Sequence, residues 1–135
     1  MKDLPPELKT VLSYTHEGKL VRADHICREY LRDHPHDIEA MRLLANIGSD
    51  LNIYEDAEFL LESALLFDPD NPKIKYDYIN ILTKRQKYGE ALKHAQLFYD
   101  ENPSNINAMK LLSTALFRTD TVSYTHLTLP TIRSV

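Results

Sequence analysis

Apolar residues recur along the chain at spacings of three and four, the spacing of one buried face of an α-helix. Ala40, Leu44 and Ile47 follow this spacing, and after a break around Asn52 a second apolar stripe begins at Ala57. No strand-like alternation of apolar and polar residues persists anywhere. The pattern predicts an all-α protein whose helices span approximately residues 5–17, 19–33, 37–51, 54–67, 71–85, 88–101 and 105–118.

The helical pattern repeats every 34 residues. This distance separates three prolines, three alanines and three short polar residues: Pro35, Pro69 and Pro103; Ala23, Ala57 and Ala91; Asp37, Asn71 and Asn105. The stretch INAMKLLSTA at 106–115 echoes IEAMRLLANI at 38–47. A fixed period of about 20–50 residues is typical of a solenoid of stacked repeats. The chain therefore divides into units 4–37, 38–71 and 72–105 and a partial unit 106–120.

Local signals predict where the helices begin and end. Each repeated proline ends a helix, because proline lacks an N–H and disfavours helical geometry in the residue before it. The polar residue two positions later is suited to cap the next helix, and Pro72 suits a first helical position. Gly18 and Gly89 are expected in or beside the turns inside the units.

The units resemble the tetratricopeptide repeat, whose 34 positions favour small residues at 8, 20 and 27 and proline at 32. With the repeated prolines at position 32, the three repeated alanines fall at position 20. Position 17, usually aromatic, is Leu20, Tyr54 and Tyr88. The resemblance covers roughly residues 4–118. It implies a right-handed superhelical solenoid of antiparallel helix pairs, with about three and a half repeats.

Some positions depart from the family pattern. Gly48 replaces the usual tyrosine at position 11 and is expected to loosen its helix by up to about 1 kcal/mol relative to alanine. Position 27 is Tyr30, Ala64 and Phe98, whereas position 24 is Cys27, Leu61 and Ala95. Exchanging large and small residues between two core sites one turn apart keeps the packed volume nearly constant. This interpretation makes Cys27 a small core residue rather than a reactive thiol.

The resemblance also implies a binding surface. In tetratricopeptide arrays the first helices of successive units line a concave groove, with positions 2, 5, 9, 12 and 13 pointing into it. In this chain those positions include Glu39, Arg42, Asn46, Asp50, Lys73, Tyr76, Asn80, Lys84, Asn107, Lys110 and Thr114. Such side chains can hydrogen-bond the backbone of an extended peptide. We therefore expect a scaffold that binds a protein or peptide partner in the groove.

The groove does not match the family members that bind chaperone tails. Their two-carboxylate clamp requires asparagine and a basic residue at position 6, which here is Leu43, Asp77 and Leu111. The clamp is therefore absent, and we expect Asp77 to repel a terminal carboxylate.

Composition excludes several other classes. The formal net charge is −4, whereas nucleic-acid binding usually requires a basic stripe. The charge also gives no support to adsorption on an anionic membrane, and no run of 18 apolar residues exists. Cys27 is the single cysteine and the first residues lack an apolar signal region, so we expect a cytoplasmic protein.

No catalytic or cofactor site is predicted. His34 and His36 form the best metal candidate by composition, but Pro35 between them ends a helix and no second cluster of ligands is visible. No nucleophile, base and orienting carboxylate form a recognisable arrangement, and no glycine-rich phosphate loop exists. We expect this segment to be non-catalytic and to need neither metal nor cofactor.

The repeat pattern fails after Asp120, where Thr125 replaces a small residue and Pro130 would interrupt a helix. One interpretation of residues 121–135 is a short disordered or strand-like tail. The preferred one is that VSYTHLTLPT resembles the peptide obtained when sequencing-adaptor DNA is translated at the end of a metagenomic fragment. A bacterial gene would then continue through further repeats.

Two other interpretations differ from a free-standing scaffold. The repeat region resembles the part that precedes the catalytic domain of bacterial tetratricopeptide sulfotransferases, so the chain would be an accessory domain whose catalytic part lies elsewhere. An RNA-binding helical repeat is disfavoured by the negative charge and by the lack of aromatic stacking positions in the groove.

Overall fold

A computed structural model describes the backbone of residues 4–134 and the side chains of residues 4–120. Over this part of the chain the regular elements are all α-helices. They are α1 (Pro6–His16), α2 (Leu20–Asp33), α3 (Ile38–Asp50), α4 (Tyr54–Phe67), α5 (Pro72–Lys84), α6 (Tyr88–Glu101) and α7 (Ile106–Ser134). The first six helices begin and end within one residue of the predicted bounds, which confirms the prediction from hydrophobic spacing.

The chain forms two compact units, Met1–Ile81 and Leu82–Val135. In the first unit α1 packs against α2, α2 against α3, and α3 against α4. In the second unit α6 packs against α7. Consecutive helices therefore pack as neighbours within each unit, as expected for helical hairpins joined by short turns.

The turns inside the repeats share one backbone geometry. Gly18, Asn52 and Gln86 stand 34 residues apart, with φ of 80°, 64° and 62°. Each is followed by a residue whose N–H reaches back five positions to a helical carbonyl: Lys19 to Tyr14 (2.8 Å), Ile53 to Gly48 (2.7 Å) and Lys87 to Leu82 (2.9 Å). This is the Schellman motif, which satisfies carbonyls left without partners at a helix end. Gly89 lies beside the third turn, just inside α6.

The turns between repeats combine a proline with an N-cap, as predicted. In each, the capping residue donates its N–H to the carbonyl three residues earlier, across the repeated proline: Asp37 to His34 (3.2 Å), Asn71 to Asp68 (3.3 Å) and Asn105 to Asn102 (3.0 Å). The capping side chains then accept from the next helix: Asp37 from Ala40 N–H (3.1 Å), Asn71 from Lys73 N–H (2.9 Å) and Asn105 from Asn107 N–H (2.8 Å). These bonds satisfy backbone donors that the first turn of a helix leaves unpaired.

Small and large core residues alternate as the sequence predicts. The alanines at position 20 are fully buried, and both members of each exchanged pair are buried: Cys27 with Tyr30, Leu61 with Ala64, and Ala95 with Phe98. Cys27 belongs to the core of the first unit, where its thiol donates to the carbonyl of Ala40 at 3.3 Å. Burial is the main cause that raises the pKa of this thiol to about 12. Cys27 is therefore a core residue and not a reactive one.

The expectation that Gly48 loosens its helix stays a prediction, whereas the predicted end of the last helix was wrong. Gly48 lies buried at the end of α3, where an added Cβ would stand 3.5 Å from the carbonyl oxygen of Ile53, an ordinary contact. The last helix is longer than predicted, since α7 runs to Ser134. Threonine and other β-branched residues lower helix stability by less than about 1 kcal/mol each, so their abundance does not end a helix. The side chains of 121–135 lie outside the described residues, and the artefact or disordered-tail interpretation stays a prediction.

Candidate partner-binding surface

Six of the predicted groove residues lie in the first unit, on two helices. Glu39, Arg42 and Asn46 belong to α3, and Lys73, Tyr76 and Asn80 belong to α5. The spacings of three and then four residues place each set on one face of its helix. Most of these side chains are exposed, whereas Arg42 and Asn80 are half-buried.

An ion pair joins the two faces. The Nε atom of Arg42 donates to Oδ2 of Asp77 at 2.9 Å, from α3 to α5. A second carboxylate, that of Glu39, approaches Nη1 of Arg42 at 3.7 Å. The ion pair thus places Arg42, a predicted binding position of α3, in contact with Asp77, which follows the predicted binding position Tyr76 on α5.

Asp77 itself is largely buried. Its side chain is 11% exposed, and that of Arg42 is 19% exposed. Burial raises the pKa of the Asp77 carboxyl from its ordinary value, and this effect outweighs the attraction of Arg42 and the hydrogen bonds from Arg42 and Asn46. The carboxylate is thus held by Arg42 in a site that disfavours its charge.

Sequence reasoning placed Asp77 in the groove but missed its partner. Arg42 and Asp77 are 35 residues apart, which corresponds to positions 5 and 6 of successive units. A positive residue at position 5 of one unit and a negative residue at position 6 of the next unit could have indicated this ion pair from the sequence. One of the residues expected to meet a ligand, Arg42, therefore already binds a side chain of the chain itself.

The other predicted groove residues lie at the ends of helices or in the second unit. Asp50 ends α3 and is exposed. Lys84 ends α5 and belongs to the second unit, as does α7 with Asn107, Lys110 and Thr114. These three residues are exposed and share one face of α7, since they are three and then four residues apart.

A second surface was not predicted. The end of α2, the following turn, the start of α3 and the α4 helix form an apolar hollow of about 310 Å³ in the first unit. It is lined by Leu31, Pro35, His36, Met41, Phe59, Leu60, Ser63 and Phe67. Phe59 is 68% exposed and Phe67 is 50% exposed. Helical spacing did not indicate this feature, because both phenylalanines interrupt the polar face of α4 rather than extend its buried stripe.

The two histidines of the metal candidate contact different neighbours. The His34 ring stacks on Tyr30 with centroids 4.3 Å apart, whereas the His36 ring lies against Phe67 at 4.6 Å. Within the described residues no group of three or more histidine, cysteine or acidic side chains could hold a metal ion. In that same part of the chain, no helix has both the length and the apolar content needed to cross a membrane.

Comparison with known proteins bears on the fold. Residues 14–76 match the family described as tetratricopeptide repeat. A sequence search of curated proteins gives no match. Among solved structures, MamA from Desulfovibrio magneticus RS-1, residues 41 to the end, is similar with a TM-score of 0.76 and 19% identity, over 87% of this chain and 66% of that chain.

Two further structures are similar. The second tetratricopeptide domain of human RPAP3, solved in complex with the HSP70 peptide SGPTIEEVD, has a TM-score of 0.73 and 22% identity, over 81% of this chain and 91% of that chain. A mutant of the O-GlcNAc transferase of Thermobaculum terrenum has a TM-score of 0.66 and 22% identity, over 84% of this chain and 23% of that chain.

The chain spans just under two thirds of the MamA structure and about a quarter of the transferase. All three identities are below 25%, so the likeness concerns architecture. Together with the helices and the family match, it shows that the chain has the all-α tetratricopeptide repeat fold.

Proposed function

We propose that the protein is an interaction scaffold that binds an extended peptide or a protein segment on the adjoining faces of α3 and α5. The observation that carries the proposal is the short Arg42–Asp77 contact, because it links the row of polar side chains on α3 to α5. Tyr76 and Lys73 remain exposed beside it. Paired rows of amide, hydroxyl and ammonium groups suit the regularly spaced polar groups of a peptide backbone.

The structural neighbours support this mode of action. The RPAP3 domain has a similar fold and was solved with a bound peptide. Its peptide ends in acidic residues, whereas the face proposed here lacks the basic position 6 of a carboxylate clamp. A partner bound through amide and hydroxyl groups fits better, and neither nucleic acid nor a membrane is expected at a net charge of −4.

A peptide array followed by calorimetry tests the proposal. Peptides selected on the array should bind the double variant Tyr76→Ala/Asn80→Ala at least about tenfold more weakly, since both contacts would be lost. Lys93→Ala, an exposed change on α6 outside the groove positions, is the matched control. Equal affinities for the wild type and the double variant would remove the assignment of this surface.

A second candidate is an accessory domain of a larger enzyme, such as a bacterial sulfotransferase. The transferase of Thermobaculum terrenum supports it, since this fold matches 23% of that chain. The genomic DNA beyond codon 120 distinguishes the two functions. A downstream phosphosulfate-binding domain would favour the accessory role, whereas further repeats alone would favour a cytoplasmic scaffold.

A further inference from the structure

The proposed binding surface contains an internal carboxylate. Asp77 accepts from Nε of Arg42 at 2.9 Å. A peptide with a terminal carboxylate would need a charged donor of this kind. In this chain the Nε donor of Arg42 already binds a side chain of the next repeat.

A ligand cannot easily displace this contact. Asp77 is 11% exposed, so an ionised carboxylate left there without its partner is strongly disfavoured. A ligand carboxylate that drew Arg42 away from Asp77 would leave that charge uncompensated. The Arg42–Asp77 ion pair is therefore part of the binding surface itself.

The local charge acts in the same direction. Arg42 lies between two carboxylates, those of Asp77 at 2.9 Å and Glu39 at 3.7 Å. One positive group, the Arg42 guanidinium, therefore already faces two negative ones. A third carboxylate would meet repulsion rather than an unused guanidinium.

We propose that Asp77 is a specificity-determining residue, which holds Arg42 so that the surface rejects a ligand's terminal carboxylate and accepts neutral hydrogen-bonding groups. This inference rests on the proposed function, because it concerns the same faces of α3 and α5. According to this inference, the Asp77 side chain decides whether the surface prefers a peptide that ends in a carboxylate or one that ends in a neutral group.

The test compares two forms of one acidic peptide. Fluorescently labelled SGPTIEEVD is titrated by anisotropy in its free-acid form and as the C-terminal amide. The wild type should show a free-acid to amide affinity ratio of one or below. Asp77→Asn should bind the free acid at least about tenfold more tightly than the amide, because Arg42 then meets a neutral neighbour.

Matched variants separate this effect from a change in net charge. Glu39→Gln removes the same charge from an exposed partner of Arg42 and should change the ratio less than about threefold. The double variant Arg42→Gln/Asp77→Asn should no longer bind the free acid more tightly than the amide, because the guanidinium is then missing. If thermal melts show that Asp77→Asn is unfolded, Asp77→Ser replaces it.

Two results overturn the inference. One is a folded Asp77 variant whose free-acid to amide ratio equals that of the wild type, and the other is a Glu39→Gln variant with the same gain. Failure of the proposed function is a different result, namely array peptides whose affinity does not depend on Tyr76 and Asn80.

Discussion

The turns inside the repeats allow a stability prediction with an internal control. Gly18, Asn52 and Gln86 occupy the same left-handed position, but only the first is glycine. A residue with a Cβ at positive φ lowers the free energy of unfolding by about 1–2 kcal/mol through backbone strain. Glycine avoids this strain but lowers the free energy of unfolding by about 0.4–1 kcal/mol, because its unfolded chain has more conformational freedom. Gln86→Gly should therefore raise the free energy of unfolding by about 0.5–1 kcal/mol, or the melting temperature by about 3 °C.

The reverse change and a near-neutral change complete the series. Gly18→Ala should lower the free energy of unfolding by about 1 kcal/mol. Its Cβ would meet no atom within 4 Å, so backbone strain alone is measured. Asn52→Gly should change it by less than about 0.5 kcal/mol, because asparagine tolerates positive φ and its side chain accepts from Tyr54 Oη at 2.7 Å.

Urea unfolding followed by circular dichroism at 222 nm measures all three variants against the wild type. Unchanged m-values would show that the native and unfolded states remain comparable. A loss of stability in Gln86→Gly, or a gain in Gly18→Ala, would refute the assignment of left-handed strain to these turns.

Three further changes follow from the structure. Gly48→Ala should stabilise the protein by about 0.5–1 kcal/mol in urea unfolding, since the added Cβ makes ordinary contacts; a loss would mean that α3 and α4 cannot accept it. Asp37→Ala should cost more than the roughly 1 kcal/mol of the cap, because the Tyr30 hydroxyl loses its acceptor at 2.8 Å, and Asp37→Asn should retain most of the stability. The Cys27 thiol, whose pKa is raised from 9.0 to about 12, should react with a disulfide reagent at pH 8 only after unfolding, since about one thiol in ten thousand is ionised in the native state. Because folding favours the neutral thiol, its contribution to stability is complete below pH 9 and is lost as the pH rises towards 12, so Cys27→Ala should lose less stability over that range.

Much of the fold could be predicted because the signals are local. Helix bounds depend on apolar spacing, on prolines such as Pro69 and on caps such as Asn71, all of which act within about four residues. The exchange of size between Cys27 and Tyr30 also lies within one helical turn. The left-handed turns were only partly foreseen, because Gln86 carries no local signal for positive φ.

The sequence by itself determined the repeat period, the helices, their caps and the small core positions, since each follows from interactions between residues close in the chain. Only the tertiary structure decided which polar side chains are available to a partner. Arg42 and Asp77 meet across 35 residues, and the hollow beside Phe59 forms where α2 and α4 approach. Such contacts depend on the relative placement of packed helices, which spacing along one helix does not specify.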